Sequence, residues 1–218
     1  MYEELGRQSE GHLNQRTIIV YGTGSIQVTP DLAEVRFDMI NEGKDVATVQ
    51  EENTHKANQV IQALLQLGIP QENIQTVSYR IEPMYDYVDG KQIFRGYQVV
   101  HALTVKIPML SQTGIVIDTA VKAGVSRVSN IQFTTSHKEA WYQRALVVAL
   151  QHAVVKAQTI ARTLQVQIEN EPTFVKEILD QQPIMPQTFK TVELSATTPI
   201  EAGQINVHAD VEVHFRFE

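Results

Sequence analysis

The sequence predicts an α+β protein built on an antiparallel sheet. Three observations lead there. Several stretches alternate apolar and polar residues at the two-residue period of half-buried strands. The clearest runs from Ile205 to Phe217, with Ile205, Val207, Ala209, Val211, Val213, Phe215 and Phe217 on one face. Other stretches space apolar residues three and four apart, as amphipathic helices do. From Asp31 to Thr134 these elements follow the split β-α-β-β-α-β order of a ferredoxin-like sandwich, which a long helix and two further strands extend.

Residues 1–16 read as a polar tail, and 17–218 as the folded domain, of the 218 residues in the chain. From Thr17, Ile18, Val20, Ile26 and Val28 mark a first strand, interrupted by Gly22-Thr23-Gly24. Glycines inside a strand signal a bulge or a close backbone approach; a bulge is expected here. Thr29-Pro30-Asp31 turns the chain into a second strand, Ala33, Val35, Phe37 and Met39 inward, antiparallel to the first. Asp45 can cap a helix that runs to Leu67 and stops at Gly68, with Pro70 beyond. Strands follow at Asn73–Met84 and Phe94–Ile107, joined through Asp89-Gly90. A shorter helix spans Ser111–Ala123 up to Gly124, and Val128–Thr134 is a strand.

The stretch Ser136–Leu164 predicts a helix of about seven turns without proline or glycine. Ser136 and Glu139 form the S/T-x-x-E pattern of a capping box. Arg144, Gln151, Gln158 and Gln165, seven apart, make one narrow polar stripe, and most of the remaining positions are Ala, Val, Leu, Ile or Trp. A surface helix needs an apolar stripe of only about 100°. One sheet covers one side of such a helix, so a second partner is implied. A strand at Thr173–Leu179 follows, and then a segment, 180–204, carrying Pro183, Pro186 and Pro199. Loops of that length are usually functional or mobile.

Composition narrows the function. The chain is 43% hydrophobic and 20% charged, an ordinary globular balance. A net charge of −7, with 18 scattered basic residues, argues against nucleic acid and against an anionic membrane surface. Cysteine is absent, which removes disulfides, thiolate nucleophiles and cysteine-held metals. No run approaches the roughly 20 apolar residues of a membrane-spanning helix. The polar, mixed-charge start has no apolar signal segment, so a cytoplasmic location is expected, periplasmic or secreted being the alternative if a signal was removed.

No motif names a reaction. Gly22-Thr23-Gly24-Ser25 leads into a strand, not into the helix N-terminus of a phosphate loop. His208 and His214 share a strand face but lie roughly 20 Å apart at about 3.3 Å per residue, too far to hold one ion. His101 falls in phase with Val99 and Leu103, as a core or interface histidine with a hydrogen-bond partner. Glu34 and Asp38 sit on the polar face of their strand, where solvation is expected. An enzyme would have to gather Asp31, His101 or Glu51-Glu52 in one cleft. No catalytic residue, metal ligand or cofactor is predicted. Tyr79, Tyr85, Tyr87, Phe94 and Tyr97 gather around one turn, as cross-strand pairs or as a protruding contact hairpin.

With these residues in order, the chain resembles the SIMPL-domain family. The similarity runs through Ile19–Gly24 with Val28–Ala33, Leu65–Ile69 into Ile74-Gln75-Thr76, Pro83-Met84-Tyr85, Gly96-Tyr97, Gly124 to Phe133, Ala145 to Ala161, and Pro199–Gly203. That resemblance implies an α+β fold and large ring- or cage-like homo-oligomers, as in the bacterial periplasmic immunogenic proteins of the group. Some members are described as oxidative-stress defence proteins, and the animal member that named the group is a signalling adaptor. It carries over no catalytic residue.

The sequence thus points to a non-catalytic protein whose partner is itself, with Trp141, Val148 and Val155 on the long helix and Tyr85, Tyr87 and Phe94 on the hairpin as contact residues. The alternative is a module binding a small ligand or peptide through 180–204.

Overall fold

The computed structural model describes residues 16–179, 186–187 and 198–218. The chain forms β1 (Thr17–Val28), β2 (Leu32–Gly43), α1 (Val46–Gln66), β3 (Ile74–Val88), β4 (Lys91–Ile107) and α2 (Thr113–Lys122). It continues through β5 (Arg127–Thr134), α3 (Lys138–Leu164), β6 (Phe174–Ile178), β7 (Pro186–Gln187) and β8 (Gln204–Arg216). The class is α+β, as expected. The described residues form two sheets, one ordered β3-β4-β2-β5 and the other β1-β8-β6, with β7 pairing to β8.

The expected pairing of the first two strands is therefore corrected: β1 joins β8, while β2 lies between β4 and β5. The cause is local. Pro30 has no N–H to give a hairpin, and Asp31 is committed elsewhere. Its N–H donates to the Thr134 carbonyl at 3.1 Å. Its carboxylate accepts the Ser136 N–H and hydroxyl, both at 2.7 Å. The chain thus enters β2 beside the end of β5. One boundary between two compact units falls here, after Val28.

One unit holds β2 through β5 with α1 and α2. Asp45 caps α1 as expected, accepting the Thr48 N–H at 2.9 Å and its hydroxyl at 2.8 Å. Gly68, at φ +86°, takes the left-handed turn that ends it. The inward face of α1 buries Val49, Ala57, Val60 and Leu64. Phe37, Met39, Leu103, Val105, Ile107 and Val116 complete that core. Each such side chain contributes about 1.5–3 kcal/mol when fully buried, so this unit is held by large apolar side chains. β3 and β4 run closer to their turn than expected. Asp89 and Gly90, at φ +50° and +76°, make a two-residue turn, so pairing continues to Val88 opposite Lys91.

The other unit holds β1, α3, β6 and β8 from Asn206. The predicted alternation of β8 holds, with Val207, Ala209, Val211, Val213 and Phe215 buried. α3 buries only alanines, Ala145, Ala149, Ala153, Ala157 and Ala161, four residues apart. Their partner is the glycine pair of β1. A Cβ at Gly22 would stand 2.0 Å from the Ala149 carbonyl oxygen, and one at Gly24 2.0 Å from that of Ala145. The strand runs unbroken through these glycines, so the bulge expectation gives way to a close approach. The capping box is corrected too. α3 begins after His137 with no side-chain capping bond, because Ser136 is already held by Asp31.

Candidate functional site

The alanine face of α3 reverses the meaning of its larger side chains. Helical residues one or two positions away from an inward alanine turn about 100° or 200° away from its face, and the valines fall there. Val147, Val148, Val154 and Val155 are 53%, 40%, 38% and 58% exposed, and Leu164 is 59% exposed. They recur as adjacent pairs seven residues apart, on either side of Gln151, one of the expected polar stripe. Trp141 is half-buried, with the Arg144 guanidinium 4.5 Å over its ring. Of the contact residues predicted on this helix, Val148 and Val155 are open to solvent within the single chain. Val147 and Val154 were missed; the signal that finds them is Ala at every fourth position opposite a Gly-x-Gly strand.

The hairpin contains the second group. Tyr85 pairs across to Phe94, ring centroids 5.9 Å apart edge to face, and Phe94 meets Tyr97 in the same way at 5.2 Å. The cross-strand aromatic pairing expected of the hairpin is present. The aromatics form cross-strand pairs, yet Tyr85, Phe94 and Tyr87 remain 44%, 49% and 76% exposed. The structure brings Tyr85 and Phe94 together and leaves Tyr87 outside that cluster. The α3 and hairpin groups belong to different units.

The polar candidates turn out to serve structure. Asp38 was expected to be solvated; its side chain is only 2% exposed, held by Arg36 Nε at 2.9 Å and Arg127 Nε at 3.0 Å. Burial pushes its carboxyl up, but the hydrogen bonds and charges of the two arginines outweigh that and hold it below the usual carboxylate value. His101 has the hydrogen-bond partner expected of it, with Nε2 3.0 Å from the Thr76 hydroxyl, and it stacks edge-on against Tyr79. Burial lowers its pKa, because it disfavours the charged ring. Tyr142 on α3 donates to Glu177 of β6, and chiefly that bond pushes its phenol up to about 12. His214 sits 2.7 Å from Glu212. Asp31 is taken by Ser136, and Glu51 borders a shallow open depression on α1 with Gln50, Thr54 and His55. Among the described residues, no group of three or more His, Asp or Glu is placed to hold a metal, and no helix is long and apolar enough to cross a membrane.

Residues 180–185 and 188–197 of the proline-bearing segment, and 1–15 of the tail, lie outside the described residues. The segment is anchored where it is described. Pro186 and Gln187 pair with Ile205 and Gln204. Thr198 donates its hydroxyl to Asp118 at 2.6 Å, and Ile200 packs on the core of its unit.

One unit carries an alanine helix on a glycine strand, and the other follows the order β-α-β-β-α-β. A family model described as SIMPL, protein of unknown function (DUF541), matches residues 18–215. The chain belongs to the SIMPL family. Among curated relatives, the uncharacterized protein YggE of Escherichia coli (strain K12) is 26% identical over 204 residues, covering 92% of this chain and 83% of the relative. The 26 kDa periplasmic immunogenic protein of Brucella melitensis is 27% identical over 215 residues, covering 92% and 84%. That of Brucella abortus is also 27% identical, with the same coverage. These SIMPL relatives overturn the cytoplasmic expectation, since those from Brucella are named as periplasmic. A polar start describes residues 1–15 alone and fixes no compartment.

Proposed function

We propose that this SIMPL protein is a non-catalytic, self-assembling protein that forms a homo-oligomer, a ring or cage, and works outside the cytoplasm. One observation supports it above others: α3 presents paired valines, seven residues apart, to solvent. β-Branched residues at that period are what helix-to-helix packing uses, and a second copy supplies the same period in register. The aromatic hairpin adds a second patch of the residue types favoured in interface cores. Obligate interfaces often bury more than about 2,000 Å² in total, which fits the use of both patches. The names of the Brucella relatives support the extracytoplasmic place.

The test is a charge on the helix face. Val155, 58% exposed, can become Glu without burying the charge in the subunit. Val155→Glu is expected to keep a folded circular dichroism spectrum while sedimenting as a smaller species than the parent. A variant that sediments like the parent would reject α3 as an assembly surface.

A further inference from the structure

β3 is the outer strand of its sheet, and among the described residues nothing pairs with its far side. It has 15 residues, of which only Ile74 is buried. A long exposed strand edge offers its free N–H and C=O groups to another strand, so what it can pair with depends on its side chains.

The ladder between β3 and β4 is irregular at two places, between Thr76 and Ser78 and between Met84 and Tyr85. Between them lies one regular run, Ser78–Met84, whose midpoint is Ile81. The run carries two charges, Arg80 and Glu82, 54% and 61% exposed and 3.7 Å apart on the same face. In an antiparallel pair, residues directly opposite share a face, and their charges attract or repel. Two identical strands related by a twofold axis at Ile81 would set Arg80 against the partner's Glu82, and Glu82 against the partner's Arg80. The only other acid in β3 is Asp86. Setting Arg80 against the partner's Asp86 moves the axis to Pro83, which has no N–H to give at the centre of the pairing. Edge strands that avoid pairing carry charges that repel a copy of themselves. Opposite signs two residues apart do the reverse.

We propose that β3 pairs antiparallel with β3 of a second copy across a twofold axis at Ile81, joining two four-stranded sheets into one. This rests on the self-assembly proposed above and supplies one of its contacts. Tyr79, 42% exposed, then lies against the partner's Pro83, and Ile81, 38% exposed, against the partner's Ile81.

The test is a charge swap in the full chain, read by sedimentation velocity. Arg80→Glu puts Glu against Glu twice per pair, and Glu82→Arg puts Arg against Arg twice. Each single variant is expected to weaken self-association by roughly tenfold. The double variant R80E/E82R restores both pairs and is expected to return to the parent's behaviour. An equimolar mixture of the two single variants is expected to associate more strongly than either alone, because a mixed pair sets Glu against Arg at both positions. Single variants that assemble like an assembling parent would overturn the β3 contact and leave self-assembly standing. So would a double variant as weak as the singles. A parent that is monomeric throughout would overturn both.

Discussion

Asp38 shows at the scale of one residue how little a strand's polar face says about solvation. Its carboxylate is buried between two arginines that remain 35% and 58% exposed. Removing its charge strands neither arginine completely, since both reach water. Asp38→Asn is therefore expected to cost about 1–3 kcal/mol of unfolding free energy in urea titration, below the loss for a fully buried pair. The pH dependence has a definite sign. The folded carboxyl titrates below its unfolded value, so its contribution is present above the unfolded pKa and is lost as pH falls through the lowered folded one. Asp38→Asn should flatten the acid limb of the stability curve. Tyr142 behaves in the opposite sense. Its folded pKa is raised to about 12, so the contribution of its bond to Glu177 is complete below the unfolded value near 10 and is lost as pH rises through about 12. Phenolate absorbance should show a late tyrosine ionisation that disappears in Tyr142→Phe.

Among the elements, α3 on β1 is held by shape more than by apolar area. Alanine removes little surface from water compared with leucine or phenylalanine, but glycine opposite alanine lets two backbones come close enough for dense packing. Gly24→Ala would force its Cβ toward a backbone carbonyl that cannot swing aside as a side chain can. A loss of about 1–3 kcal/mol or more, typical of overpacked cores, is expected in the denaturation midpoint. Gly68→Ala meets no neighbouring atom and disturbs only a left-handed turn, so it should cost less.

The strands, the β8 alternation, the Asp45 cap and the Gly68 stop were legible in the sequence because each is set by its own neighbours in the chain. Partners distant in sequence were not. Whether β1 pairs with β2 or with β8 depends on where Asp31 finds its acceptors and donors, some 105 residues away. Likewise, α3 could be seen to be apolar beyond the stripe one sheet would cover, but which of its apolar residues face inward is decided by two glycines on another element. The aromatic hairpin lay between these cases, since one turn places both of its strands.

Across the whole molecule, the same inversion that buries alanine leaves valine exposed, the surface on which the proposed self-assembly rests. The α3 face and the β3 edge lie in different units of one chain, and two separate self-complementary surfaces are what a closed ring or cage needs beyond a dimer. The proposed assembly requires that the protein not remain a single chain in solution. Sedimentation of the purified parent at micromolar concentration tests it most directly. A species several times the 24.6 kDa of one chain is expected. One boundary at 24.6 kDa, unchanged as concentration rises, would contradict it.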